Sequence, residues 1–123
     1  MRTLLCLILL PVIASVWLSS PSGAQTQVVI NDSEAPQHVG ENVAVEGVVT
    51  AVSRSKKGNT FINFGGVYPN QTFTGWIPAG TPLADDGSLL SLQGKKVKIT
   101  GRIELYRGKP EIRILSKGQI IEE

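Results

Sequence analysis

Cysteine and histidine are almost absent from this chain, which contains one of each in 123 residues. Cys6 lies in an N-terminal apolar run, so the rest of the chain has no cysteine from which to form a disulfide. His38 has no cysteine near it, which argues against a zinc cluster and against a histidine-dependent nucleophile. We therefore expect neither a metal nor a cofactor.

Recognisable catalytic motifs are also missing. The Asp85-Asp86 pair lies in a turn rich in proline and glycine, where solvated carboxylates are the simpler interpretation. The glycines of "GNTFINFGG" lack the Gly-Lys-Ser/Thr ending and the following helix of a phosphate-binding loop. We therefore predict that the protein is not an enzyme, with a small nuclease of unrecognised site as an alternative.

The N terminus has the features of a secretory signal peptide. Arg2 precedes an apolar run over residues 4–18, and a stretch of small residues ends at Ala24. The run is about 15 residues long and contains Pro11, whereas a membrane-spanning helix needs about 20 residues. We predict that residues 1–24 are cleaved after Ala24, that the protein is secreted or periplasmic, and that it has no stable membrane insertion. A retained membrane anchor is the alternative.

Acidic residues are scarce in the middle of the chain. Residues 43–121 contain 11 basic and 5 acidic side chains. The other acidic residues lie towards the two ends of the mature chain: Asp32, Glu34, Glu41, Glu122 and Glu123. The folded body is therefore expected to be basic, with acidic segments on either side of it.

The pattern of short apolar runs and turns predicts an all-β fold. Residues 25–40 are predicted to be a flexible lead-in with at most one short strand. Strands are predicted over residues 43–52, where Gly47 suits a bulge, and over residues 60–64, 72–77, 95–106 and 109–116. Between the third and fourth of these strands, residues 88–94 form the one plausible helix, with Ser88 as its cap.

This order of elements is typical of a five-stranded Greek-key barrel with a short helix between strands three and four, the OB-fold. We assign that domain to residues 41–121. An SH3-like barrel and a small sandwich are the competing all-β folds, because strand number alone does not determine topology.

Two stretches resemble a known family. "HVGENVAVEGVVTAV" followed by "TFINF", and later "LQGKKVKITGRIELYRGKPEIRILSKGQI", are similar to nucleic-acid-binding OB domains of the anticodon-binding and helicase type. These domains occur in class II aminoacyl-tRNA synthetases and as free-standing bacterial modules. The resemblance covers residues 38–121 and implies that Phe61 stacks on a nucleobase. Gly65-Gly66 replaces the Arg-Asp pair of the synthetase domains, and an exported protein does not meet tRNA.

Aromatic residues are few and clustered, since all three phenylalanines and Trp76 fall within residues 61–76. Alternation along a strand predicts that Ile62 and Phe64 face the barrel interior, which turns Phe61 and Asn63 outward. The same alternation turns Phe73, Gly75 and Ile77 inward and Thr74 and Trp76 outward. Phe61, Trp76 and Tyr68 are therefore candidates for one exposed stacking surface, whereas core packing of these rings is the alternative.

Basic residues are predicted to flank that surface. An OB-fold binds its ligand on strands two and three, between the loop that joins strands one and two and the loop that joins strands four and five. The first loop contains Arg54, Lys56 and Lys57, and the second contains Arg107 and Lys109. Arg113 projects from the last strand. Ordinary solvated surface is the alternative for all six.

These observations favour an exported binding module for single-stranded nucleic acid, DNA or RNA, with little sequence preference. The alternative is an OB module that binds a protein or an oligosaccharide, because sugars also stack on exposed aromatic rings.

Overall fold

The computed structural model describes residues 27–123, and the predicted signal peptide lies outside the described residues. Seven strands run through this part: β1 (Val29–Asn31), β2 (Asn42–Arg54), β3 (Thr60–Phe64), β4 (Phe73–Ile77), β5 (Lys96–Tyr106), β6 (Lys109–Arg113) and β7 (Ile120–Glu122). Short 3-10 helices span Asp32–His38, Pro82–Asp85, Gly87–Leu92 and Lys117–Gln119. The described chain is therefore mostly β, which confirms the predicted class.

Five strands pair in a ring. Their order is β2-β3-β4-β6-β5, and β5 pairs again with β2. All these neighbours are antiparallel except β4 and β6, which are parallel. β2 has 13 residues and pairs with β5 through its first half and with β3 through its second half. The five strands of the ring are the five that the sequence predicts, and β1 and β7 are additional.

The interior of the ring is filled by alternate residues of its strands. Ile62 and Phe64 of β3, Phe73 of β4, Ile103 of β5 and Ile112 of β6 are all 0% exposed. The rings of Phe64 and Phe73 lie 5.4 Å apart between centroids and are tilted at 58° to each other. Burial of each such side chain stabilises the fold by about 1.5–3 kcal/mol. The period of two in the sequence therefore produces a single apolar core.

The segment predicted as a flexible lead-in packs against the ring from Val29 onward. β1 pairs in parallel with β2, and Ile30 and Ala35 are 6% and 0% exposed. The Thr72 hydroxyl, in the loop between β3 and β4, donates a hydrogen bond to the Asp32 carboxylate. Two small apolar side chains anchor this polar stretch, too few to produce a periodic pattern in the sequence. The packed body therefore begins ahead of residue 41.

Gly47 is predicted to mark a bulge, but the irregularity lies further along β2. The register shift falls between Val49 and Ala51. A Cβ atom on Gly47 would lie 2.6 Å from Oδ1 of Asp32 and 3.0 Å from Cδ2 of Phe64. The close approach of its neighbours therefore requires glycine at position 47.

The predicted helix between the third and fourth strands of the ring is a pair of 3-10 helices. Asp86, and not Ser88, caps the second one, because its carboxylate accepts hydrogen bonds from the Ser88 backbone N–H at 2.9 Å and from the Ser88 hydroxyl at 2.7 Å. These hydrogen bonds lower the pKa of Asp86. Leu89 and Leu92 are 5% and 3% exposed and join the core. No helix within residues 27–123 has the length and apolar character that crossing a membrane requires.

Candidate nucleic-acid interface

The outer face of the ring presents two rows of side chains that cross several strands. In the first row, Ser53, Phe61, Trp76 and Arg113 are successive register partners on β2, β3, β4 and β6. In the second row, the partners are Ala51, Asn63, Thr74, Glu111 and, on β5, Glu104. Strand pairing therefore places aromatic and cationic side chains beside a row of uncharged polar and acidic ones.

A cleft of about 320 Å³ opens on this face. Its lining comes from four parts of the chain: the end of β2, β3 with the loop that follows it, β4, and the turn between β5 and β6 with its flanking residues. Five predicted site residues line it: Arg54, Phe61, Asn63, Tyr68 and Arg107. The other five predicted residues, Lys56, Lys57, Trp76, Lys109 and Arg113, do not line the cleft.

The aromatic side chains of the face are not equivalent. The ring of Phe61 is half-buried and forms part of the cleft wall. Tyr68 and Tyr106 are 68% and 54% exposed and form its rim. Trp76 lies directly opposite Phe61 on β4, but the guanidinium of Arg113 lies 5.4 Å from the centroid of its ring. One side of Trp76 is thus approached by a cation, whereas Phe61 lines the cleft.

Basic side chains of the domain divide into two groups. Arg54, Lys95, Lys96, Lys98 and Lys117 each lie within 4.0 Å of a carboxylate, and the partners of Lys95 and Lys98 are the C-terminal Glu122 and Glu123. Within residues 27–123, the other six have no carboxylate at that distance: Lys56, Lys57, Arg102, Arg107, Lys109 and Arg113. Five of these six are predicted site residues. The acidic C-terminal segment therefore neutralises Lys95 and Lys98, at the start of β5, and not the predicted site cations.

Arg54 is the exception among the predicted cations. Its guanidinium forms an ion pair with Asp85, and their side chains are 52% and 63% exposed. An exposed pair of this kind contributes about 0–1 kcal/mol. Arg54 can therefore exchange Asp85 for another anion at little energetic cost.

Polar side chains form the floor of the cleft beneath the aromatic rings. Asn63, Gln71 and Thr74 are only 3%, 6% and 4% exposed. The Thr74 hydroxyl donates to Oδ1 of Asn63 at 2.9 Å, whereas Oε1 of Gln71 is buried and accepts no hydrogen bond from residues 27–123. Lys109 fixes this part of the loop, because its Nζ donates to the Gln71 carbonyl at 3.3 Å. A buried acceptor without a donor is costly, and a ligand that supplies the donor removes that cost.

Glu111 is the acidic member of the cleft lining. It lies directly across from Glu104 on β5, and partial burial together with the Glu104 charge raises the pKa of Glu111 to about 7, although Arg113 opposes this shift. The Glu111 carboxyl group is therefore close to half-protonated at neutral pH.

Sequence reasoning missed Gln71, Thr74, Tyr106 and Glu111 as parts of this site. The alternation along β4 and β6 already turned Thr74 and Glu111 outward, and Tyr106 precedes a predicted site arginine. No sequence pattern indicates a role for Gln71, because it lies in an irregular loop. No group of three or more histidine, cysteine, aspartate or glutamate side chains in the described part of the chain is arranged to hold a metal ion.

No protein-family model and no curated protein matches the chain. Among solved structures, it is similar to a protein described as an aspartyl-tRNA synthetase from Leishmania major, with 12% identity over 89% of this chain and a TM-score of 0.51. The match spans 23% of that protein's length. It is also similar to an OBody bound to hen egg-white lysozyme, with 19% identity, 83% of this chain and 98% of that chain covered, and a TM-score of 0.56. At these identities the likeness concerns the fold alone.

Proposed function

We propose that the five-stranded ring is an OB-fold and that its outer face binds single-stranded nucleic acid, DNA or RNA, with little sequence preference. The observation that carries this proposal is the partly exposed ring of Phe61 in a cleft that Arg54 and Arg107 also line, on the face of the ring of strands that carries Trp76 and Arg113. Bases of any sequence stack on an aromatic ring, and each stack contributes about 1–3 kcal/mol.

The charges around the cleft supply the second part of the binding energy. Arg107 lines the cleft, and Lys56, Lys57, Lys109 and Arg113 lie in the loop after β2 and on β6; none of the five has a carboxylate within 4.0 Å among residues 27–123, so each can exchange its present contacts for a phosphate. Five phosphate contacts to a single strand give a slope of about −3.5 for log K against log salt. Affinity should therefore fall by about 100-fold between 50 and 200 mM salt.

Fluorescence anisotropy with a labelled oligothymidine tests this proposal. The full chain would be expressed for export, and mass spectrometry of the purified protein would give its N terminus. Binding with the steep salt slope is the expected result. No binding at low salt, or binding that is indifferent to salt, would remove nucleic acid as the ligand.

Protein binding is the second candidate function, and a specific feature favours it. Tyr68 and Tyr106 at the rim of the cleft are 68% and 54% exposed, and their neighbours in the chain, Val67 and Leu105, are each 55% exposed. The similar OBody is bound to lysozyme, so a related fold can hold a protein. A protein or oligosaccharide ligand that packs on this rim would bind with little dependence on salt, because apolar contact and stacking do not release counterions.

We further propose that the protein is exported after cleavage behind Ala24 and acts by binding, without catalysis. A nuclease assay on plasmid DNA and on RNA tests the second statement. Any cleavage that survives purification and is lost on substitution of a cleft residue would contradict it.

A further inference from the structure

Two carboxylates stand in and beside the cleft, whose other charged lining residues, Arg54 and Arg107, are cationic. Glu104 and Glu111 are direct register partners on β5 and β6. Glu111 lines the cleft together with Phe61, Tyr106 and Arg107, and it follows Thr74 in the row that crosses β4 and β6. Like charges placed directly opposite each other on a sheet repel. A surface that binds only through general attraction to phosphate has no use for such a pair at its centre.

We propose that Glu111 is a ligand-contacting residue of the cleft, and that binding of a nucleic-acid strand there takes up a proton onto the Glu104–Glu111 pair. This inference rests on the proposed function, and it adds a contact residue and a pH dependence to that site.

The charged and titratable groups around Glu111 determine the sign of the effect. They are Glu104 and Tyr106 of β5, Arg107 of the turn, Arg113 of β6, Arg54 of β2 and Tyr68 of the loop after β3. Lys109 lies two residues away on the same strand and contacts the Gln71 carbonyl. Within this set Glu111 is the group whose pKa is raised into the interval between pH 6 and pH 8, by partial burial and by the Glu104 charge.

A phosphate that enters the cleft brings further negative charge to the carboxyl pair. The bound state therefore favours the protonated form of Glu111 more than the free state does. At pH 6 the Glu111 carboxyl is already mostly neutral and can donate a hydrogen bond to the strand. At pH 8 it is mostly ionised, so the strand either binds next to a carboxylate or binds together with a proton. Because the free carboxyl titrates at about 7, affinity should decrease as the pH rises through this value.

The test is the dissociation constant of labelled oligothymidine at pH 6, 7 and 8 and constant ionic strength. Thymine does not titrate in this range, so the ligand contributes no pH dependence of its own. For the native protein we expect affinity to fall by about three- to tenfold from pH 6 to pH 8, as one proton with a pKa shift of about one unit predicts. Calorimetry in buffers of different ionisation enthalpy should show a net uptake of about 0.4 proton at pH 7, because the free carboxyl is already about half-protonated there.

Substitutions identify the residue that takes up the proton when the oligonucleotide binds. Glu111→Gln should bind with nearly the same affinity at all three pH values and more tightly than the native protein at pH 8. Glu104→Gln removes the repelling charge, so it should retain the pH dependence but move its midpoint to lower pH. Glu122→Gln is the matched control, since Glu122 pairs with Lys95 away from the cleft. His38→Gln, made in the native and the Glu111→Gln backgrounds, is a further control, because it removes the single histidine of the chain.

The outcomes separate the two proposals. A flat pH profile in a native protein that still binds the oligonucleotide overturns this inference and leaves the proposed function intact. The same holds if Glu111→Gln keeps the native pH dependence. Absence of binding at every pH, by both the native protein and Glu111→Gln, overturns both proposals. If Glu111→Gln does not fold, NMR titration of the Glu111 carboxyl carbon with and without oligothymidine decides instead, because no rise of its pKa on binding would contradict the inference.

Discussion

Replacing Phe61 by alanine and, in a second variant, Phe64 by alanine distinguishes a residue of the binding surface from a residue of the core. The two residues lie on one strand and differ in direction: Phe64 is 0% exposed and packs against Phe73, whereas Phe61 is half-buried in the cleft wall. Deletion of a fully buried phenylalanine ring costs about 3–5 kcal/mol, since the lost transfer energy and the residual cavity add. A domain of this size has about 5–15 kcal/mol of stability in total, so Phe64→Ala should lose a substantial fraction of it.

Phe61→Ala should have the opposite profile. The ring of Phe61 is only partly buried, so the free energy of unfolding should fall by about 1–2 kcal/mol, clearly less than in Phe64→Ala. The lost stacking contact of about 1–3 kcal/mol should weaken oligothymidine binding by roughly 5- to 150-fold. Chemical denaturation followed by tryptophan fluorescence measures the first quantity, and fluorescence anisotropy measures the second.

The comparison between the two variants is what tests the argument. Equal loss of stability in both would mean that Phe61 belongs to the core and that the alternation argument for β3 is wrong. Unchanged stability together with unchanged binding would mean that the ring is exposed but is not a contact for nucleic acid. Phe61→Tyr, which preserves the ring, should retain most of the affinity.

Three further predictions follow from the same structure. Lys56→Glu combined with Lys57→Glu should weaken binding to every base sequence. Because two phosphate contacts are lost, the slope of log K against log salt should become shallower by about 1.4. An unchanged slope in anisotropy titrations would mean that the binding site lies elsewhere. Gly47→Ala should lower the free energy of unfolding by about 1–3 kcal/mol, since its Cβ would lie 2.6 Å from Asp32 Oδ1, and a loss below about 0.5 kcal/mol in denaturant would contradict the close approach. The pKa of Glu111 in the folded protein is raised from 4.5 to about 7, so the folded state holds this proton more tightly than the unfolded state. The resulting stability is fully present below pH 4.5 and is lost as the pH rises through 7. Glu111→Gln should therefore stabilise the domain by about 1–2 kcal/mol at pH 8, after allowance for solvent screening, and not at pH 4.5, as measured by thermal unfolding at both pH values.

Strand positions were predictable because they depend on local pattern. The alternation in "TFINF" and "KKVKITGRIELY" places one face of each strand in the core, and β3 and β5 lie where that pattern puts them. The lead-in was less predictable, because Ile30 and Ala35 anchor it without periodicity. The position of the bulge was not predictable, because it depends on how β2 passes from its pairing with β5 to its pairing with β3.

Individual roles within the site depended on contacts between distant parts of the chain. The sequence places six cations near the predicted face but does not show that Arg54 is paired with Asp85, 31 residues away, or that Arg113 lies over Trp76. It also does not show that the C-terminal carboxylates neutralise Lys95 and Lys98. Partners of this kind are selected by strand register, which local composition does not encode.

By itself, the sequence determined the class of fold, the direction of most strand side chains, and the concentration of aromatic and basic residues around one pair of strands. These properties follow from the period of a β-strand and from composition, which are local. Only the tertiary structure decided that Phe61, Gln71 and Glu111 meet in one cleft, that Gln71 has an unsatisfied acceptor, and that Glu104 faces Glu111. The physical reason is that a strand's sequence determines which way a side chain points, whereas the register between strands determines what it meets there.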